Sequence, residues 1–347
     1  MLARLLKQTN LVNRLRGAWR HDADEAMKPI RKELRRLARE VEQLQTTLQD
    51  TAVRAARGDR SAAQLRLVAE LNAGQADRIS ALPELLNEAG IASHIRRAVA
   101  AAPMQPEPFP HIVIEQLLPP PVYELLLEAM PPLAFFTDHD PLKQDLHLPI
   151  TLAPALAMAV WNFMDGVIAR QMIQPAVLEK FHDPLQHHFD NVFGPEFRQQ
   201  ANALPQLSSG GRLMMRRPGY YLAPHRDPKR SLMTCLMYLA RPGEDEAHGT
   251  QLFGVTDDRE APFKQTYYPD LQQCELARVV PFRPNSMLVF LNSHGAHGAT
   301  IPADAKEVER CTYQFYVAPD NAALGALIRE LPTERRVTWQ NRNKYEG

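Results

Sequence analysis

Three residue types capable of holding a metal recur at a telling spacing. His225-Arg226-Asp227 places an imidazole and a carboxylate two residues apart, and Ser293-His294-Gly295-Ala296-His297-Gly298-Ala299 supplies further imidazoles downstream. In an extended strand the side-chain period is two, so His225 and Asp227 would share one face. Two imidazoles and one carboxylate on one side of a metal leave positions open for small ligands, the donor set of non-haem Fe(II) oxidative chemistry. His297 is preferred to His294 as the third ligand: Gly298 and Ala299 after it are small enough for close backbone approach, and it sits nearer the following strand. A second triplet, His188-Phe189-Asp190, lies in a stretch with helical apolar spacing (Val177, Leu178, Phe181, Leu185, Phe189), where residues two apart diverge.

These side chains need a rigid β framework, and the sequence from Arg212 onward has its pattern. Short β-type runs at 212–217, 231–239, 250–255, 277–281, 286–291 and 311–317 are separated by Pro, Gly and Asp. Before them, His111-Ile112-Val113-Ile114 reads as a strand, 121–130 as a short helix, and 152–203 as helices interrupted at Pro175, Pro184 and Pro195. Helices followed by repeated short strands predict an α+β fold, a β-sandwich or jelly roll buttressed by helices on one side.

The N-terminal part differs in character. The first twenty residues carry Arg4, Lys7, Arg14, Arg16 and Arg20 without an acid, and Leu2, Leu5, Leu6, Leu11, Val12, Leu15 and Trp19 fall roughly on one helical face. Such a segment suits peripheral contact with an anionic membrane surface, or docking on the protein itself. Ile30, Leu34, Leu37, Val41, Leu44 and Leu48 then step by alternating four and three, a short coiled coil over about 30–55 that would form a homo-oligomer or pack within the chain. The proline-rich stretch 103–110 breaks the helical pattern. The expected organisation is therefore a helical region with a coiled coil over 1–102, a catalytic domain over 103–319, and a C-terminal helix and tail over 320–347.

Composition narrows the function classes. The 347 residues carry 40 Lys plus Arg and 40 Asp plus Glu, so no global charge favours nucleic acid as a partner. Cys235, Cys274 and Cys311 are an odd, widely spaced set without a CxxC pair, which suits a reducing compartment. No run approaches the ~18 apolar residues of a spanning helix, and no signal-peptide pattern opens the chain. The expected location is cytoplasmic.

Taken in order, the residues resemble the 2-oxoglutarate and Fe(II)-dependent oxygenases, in particular their prolyl-4-hydroxylase-like bacterial branch. The resemblance covers about 105–319. Pro108-Phe109-Pro110-His111-Ile112-Val113-Ile114 looks like the first strand of many members, Pro224-His225-Arg226-Asp227 like the HxD strand, and Thr234 to Leu239 like the strand after it. His248-Gly249-Thr250-Gln251-Leu252 is similar to a Gly-Gly-x-Leu turn with His248 in place of the first glycine, and Pro284 to Phe290 resembles the strand before the distal histidine.

The resemblance implies a double-stranded β-helix with iron on His225, Asp227 and His297. It implies that Arg310 pairs with the distal carboxylate of 2-oxoglutarate, helped by the hydroxyls of Tyr238 and Thr312, and that dioxygen is the second cosubstrate. A planar guanidinium fork is suited to a carboxylate. The implied activity is a hydroxylase releasing succinate and carbon dioxide from an unidentified substrate. The chain departs from the pattern where relatives often carry a tyrosine before HxD: Arg216 and Arg217 stand there, and either would suit an acidic substrate or solvent. Two other readings stand beside it, a cupin-like metal enzyme that is not an oxygenase, which would not require Arg310, and a non-catalytic β-domain on a coiled-coil scaffold, which would tolerate loss of the metal triad.

Overall fold

The computed structural model describes residues 58–137, 140–256, 267–305 and 308–340. The basic segment 1–20 and the heptads of 30–55 lie outside these residues. The chain divides into compact units Met1–Arg66 and Leu67–Gly347. Residues 58–66 of the first are helical, and the second carries every strand.

That unit is α+β and all its strand pairs are antiparallel. The larger sheet has seven strands, in the order β1 (His111–Ile114), β9 (Ser286–Leu291), β6 (Met233–Tyr238), β11 (Arg310–Pro319), β4 (Arg212–Arg216) and β2 (Lys143–His147), with β3 (Gln206–Ser208) also paired to β11. The smaller has four, in the order β5 (Tyr221–His225), β10 (Ala296–Thr300), β7 (Thr250–Val255) and β8 (Cys274–Val280). The β-type runs read from sequence fall on β4, β6, β7, β8, β9 and β11. The triplet His188-Phe189-Asp190 falls, as its spacing implied, inside a helix, His182–Phe193.

Alternation along the strands of the larger sheet divides its two faces. Leu213, Met215, Cys235, Met237, Val289, Tyr313 and Phe315 point outward and join one apolar cluster with the helices. Their strand neighbours Met214, Leu236, Tyr238, Leu288 and Phe290 point inward and meet Leu252, Val280 and Phe282 between the two sheets. Among the inward residues stand Thr234, Arg310, Thr312, Gln314 and Tyr316, and the register aligns Thr312 with Tyr238, Gln314 with Leu236 and Tyr316 with Thr234. The polar residues that the sequence singled out on β6 and β11 thus share one enclosed face. At the edge of the smaller sheet a Cβ on Gly249 would come within 1.6 Å of the Val280 carbonyl oxygen, so only glycine lets the chain pass so close to the end of β8 as it enters β7.

Helices cover the outward face. Asn87 accepts a hydrogen bond from the Gly90 amide and starts α1 (Glu88–Ala101), whose Ile91, Ile95 and Val99 recur one turn apart and enter the sheet's apolar cluster. The helix Ala155–Phe163 continues through a wider π-helical stretch, Met164–Ile173. There Asp165 accepts hydrogen bonds from the Gly211 amide and the Tyr313 hydroxyl, tying the helical layer to β11. Asp320 caps the helix Asn321–Glu330, which packs Leu324 and Leu327 on the same cluster. No described helix is long and apolar enough to cross a membrane.

The stretch 103–110 was expected to separate helical and catalytic regions, yet α1 on its N-terminal side is fully buried along one face in the core of the sheet. A chain beginning at Met104 would bare the apolar surface that α1 covers, and is expected to aggregate, as read from soluble yield and circular dichroism. In the full chain, Ile95→Ala is expected to cost about 2–5 kcal/mol in denaturant unfolding. A folded, monodisperse Met104 chain would show α1 to be a detachable appendage.

Candidate functional site

The two histidines favoured by sequence face each other across one strand pair. β10 runs antiparallel to β5 with His297 opposite His225, and His297 is also opposite Leu252 of β7. Their ring centroids are 4.2 Å apart. Gly298 serves this pairing rather than approach to a metal: a Cβ there would stand 2.7 Å from the Leu222 carbonyl oxygen on β5. His294 lies in the turn before β10, beside the Ser293 hydroxyl, and is not part of the cluster.

Asp227 is placed differently from the strand reading. β5 ends at His225. The Arg226 amide bonds to the Tyr267 carbonyl instead of a ladder partner, and Pro228 has no amide hydrogen to continue the pairing. The carboxylate instead crosses to the larger sheet, where Asp227 Oδ2 accepts from the Thr234 hydroxyl at 2.5 Å and Oδ1 from the Tyr316 hydroxyl at 3.0 Å. His297 Nε2 is 3.6 Å from Asp227 Oδ2. One ligand atom from each of His225, Asp227 and His297 lies within 4.8 Å of the other two, and all three residues are buried.

Protonation suits a cation at this point. Burial, reinforced by His225, brings His297 down to about 3, so the imidazole is neutral and offers a lone pair. Burial pushes Asp227 upward, but the adjoining imidazoles and the Thr234 and Tyr316 hydroxyls outweigh it and hold the carboxyl below its ordinary value. His225 Nδ1 donates its hydrogen to the Ala223 carbonyl at 3.0 Å, which makes Nε2 the candidate ligand atom. A buried carboxylate and two imidazoles whose candidate ligand atoms lie together fit a divalent transition metal in donor type.

The residues expected to hold a carboxylate gather further along the same inward face. Arg310 is buried, and no carboxylate pairs with it among the described residues. Its Nε donates to the His248 carbonyl at 2.6 Å and Nη2 to the Thr250 hydroxyl at 3.1 Å. Its guanidinium stands 5.5 Å from the Tyr238 ring centre and 5.7 Å from that of Phe282. Burial lowers its pKa, but an arginine remains charged. Tyr238 donates to Thr250 at 2.8 Å, and Thr312 Oγ1 is a buried hydroxyl without a hydrogen-bond partner among the described residues. A buried charge and a buried hydroxyl without counterparts are costly unless a ligand completes them.

Sequence reading missed Thr234, Tyr316, Thr250 and Gln314. The period-two signal could have found three of them, because Gln314 and Tyr316 continue the Arg310, Thr312 face and Thr234 continues that of Tyr238. Arg216 and Arg217 do not face an open substrate space. Arg216 is buried 2.7 Å from Asp145 Oδ1 and 5.2 Å from the Tyr220 ring centre, and Arg217 pairs with Glu309 at 3.2 Å.

No family model and no curated protein matches the chain. Among solved structures, it is similar to a Pseudomonas putida prolyl-4-hydroxylase at 11% identity, over 67% of this chain and 100% of that one, with a TM-score of 0.37. It is similar to a prolyl 4-hydroxylase from Phytophthora capsici at 16% identity over 72% and 75%, with a TM-score of 0.38. HygX from Streptomyces hygroscopicus, solved with nickel and 2-oxoglutarate bound, is 14% identical over 61% and 83%, with a TM-score of 0.37.

Because Thr234 orients the carboxylate, Thr234→Val is expected to lower Mn(II) or Fe(II) affinity by about ten- to a hundredfold in equilibrium titration. Unchanged affinity would show that Asp227 is held by other contacts.

Proposed function

We propose that this chain is a 2-oxoglutarate- and Fe(II)-dependent dioxygenase, a hydroxylase whose two antiparallel sheets form a double-stranded β-helix. The observation that carries the reading is Arg310: a buried guanidinium with no acidic partner among the described residues, on the same enclosed face as the hydroxyls that hold Asp227. A metal centre alone would not need it. A dianionic cosubstrate that reaches the metal with one end and Arg310 with the other satisfies both, and a cupin-like enzyme or a scaffold domain leaves the guanidinium unexplained.

In this reading His225, Asp227 and His297 hold the ferrous ion on one side, with Thr234 and Tyr316 fixing the carboxylate's orientation. Arg310 binds the distal carboxylate of 2-oxoglutarate by charge-assisted hydrogen bonds, and Thr312 Oγ1 supplies a further donor. Tyr238 holds Thr250 in place beneath the guanidinium. Leu236, Leu288 and Phe290 line the space between these polar ends and exclude water from it. When bound, the ion and cosubstrate would supply, with dioxygen as the oxidant, oxidative decarboxylation to succinate and carbon dioxide coupled to hydroxylation of a substrate C–H bond, one oxygen atom going to succinate and the other to the hydroxylated product. Tyr267 and Tyr268, with ring centres 5.6 and 6.3 Å from His225, stand beside the candidate metal centre.

Succinate release from 2-oxoglutarate under air tests the proposal. Asp227→Ala is expected to abolish it. Arg310→Ala is expected to raise the 2-oxoglutarate concentration for half-maximal release by roughly ten- to a hundredfold, the equivalent of about 1.5–3 kcal/mol, with iron affinity retained. An unchanged requirement would place the carboxylate anchor elsewhere, and full activity of Asp227→Ala would end the metal assignment.

A further inference from the structure

A second arginine on the inward face has only a long, shared ion pair for its charge. The buried and half-buried strand residues there include Arg212, Arg216 and Arg310 against one acid, Asp145. If the oxygenase reading holds, a divalent ion, a 2-oxoglutarate dianion, Asp227 and Arg310 together are neutral. Arg212 and Arg216 then share Asp145, and they do not share it equally. Arg216 Nη1 lies 2.7 Å from Asp145 Oδ1, whereas Arg212 Nη1 is 3.8 Å from Oδ2, beyond hydrogen-bond distance, and makes no hydrogen bond among the described residues. The Arg212 side chain is 31% exposed and Arg216 only 4%, so an incoming molecule can reach the first and not the second.

Arg212 is also tied to the candidate metal centre. Its Nε and Nη2 donate to Gln314 Oε1 at 3.0 and 2.5 Å. Gln314 Nε2 donates to the Tyr316 hydroxyl at 3.3 Å, which donates to Asp227. Gln314 thus fixes one edge of the guanidinium and turns the Nη1 edge away from itself, and only two side chains separate the cation from a proposed metal ligand. We propose that Arg212 anchors an oxyanion of the substrate, a carboxylate or a phosphate, so that this site selects small acids long enough to span Gln314 and Tyr316. This rests on the oxygenase reading for the chemistry, but the anion site itself can be tested without turnover.

Phenylglyoxal labelling of the full chain, mapped by mass spectrometry, reads the reactivity of Arg212. With Zn(II) and saturating 2-oxoglutarate present, the probes are N-acetyl amino acids beside their C-terminal amides, and alkyl phosphate monoesters beside the parent alcohols. Charged probes of one series are expected to slow Arg212 labelling severalfold while their neutral counterparts do not, and the series that protects identifies the oxyanion. Equal protection by neutral probes, or none by any charged one, overturns the proposal. Under Fe(II) and air, Arg212→Gln is expected to raise the half-saturating concentration of the protecting probe, read as stimulated succinate release, by about tenfold or more, and Arg212→Lys to recover part of the loss. An unchanged half-saturating concentration overturns the assignment. Protection at Arg212 without succinate release would end the oxygenase reading and support the anion site, and release stimulated equally by amides or alcohols would do the reverse.

Discussion

The carboxylate of Asp227 joins the two sheets. It leaves the end of β5 on the smaller sheet and is received by Thr234 and Tyr316 on the larger one. Without that crossing, His225 and His297 would be two facing imidazoles on neighbouring strands, a common arrangement with no particular chemistry. With it, three donors converge and the carboxylate's remaining lone pairs are directed by two hydroxyls. Charge-assisted hydrogen bonds of this kind are about twice as strong as neutral ones, and in a buried setting they also restrict geometry. The strand pairing that sets the histidines opposite each other and the register that sets Tyr316 beside Thr234 both serve this one contact.

The enclosed face has a polarity gradient consistent with a dianionic cosubstrate. At one end are two imidazoles and a carboxylate, in the middle Leu236 and Leu288, and at the other Arg310 beneath Tyr238 and Phe282. An arginine buried there with no acid paired to it among the described residues is expensive without a bound anion. That cost is reasonable where binding offsets it, since buried cations otherwise acquire paired acids, as Arg216 has with Asp145.

Much of the strand framework was legible because period-two alternation survives in β4, β6, β9 and β11, where both faces are buried but one is chemically distinct. The helical reading of His188-Phe189-Asp190 was legible for the same reason, in the other period. The position of Asp227 was not: HxD spacing suggests a common strand face, whereas the strand ends at His225, two residues before Asp227, where the Arg226 amide turns to the Tyr267 carbonyl. β2 was missed because Lys143–His147 is an edge strand of polar composition, with no hydrophobic run to announce it. The role of α1 was hidden by the prolines after it. A break in periodicity marks the end of a helix and says nothing about which core that helix enters. Metal ligation itself is a property of converging lone pairs, which sequence order can suggest and only three-dimensional placement can test.

The most direct test of the account is anaerobic equilibrium dialysis of the full chain against Fe(II) and 2-oxoglutarate, separately and together. If the triad holds the ion and the ion holds one end of the cosubstrate, one iron is retained per chain, and 2-oxoglutarate is retained at one per chain far more tightly when iron is present. Retention of 2-oxoglutarate at the same affinity with and without iron, or stoichiometric iron with no 2-oxoglutarate, would contradict it.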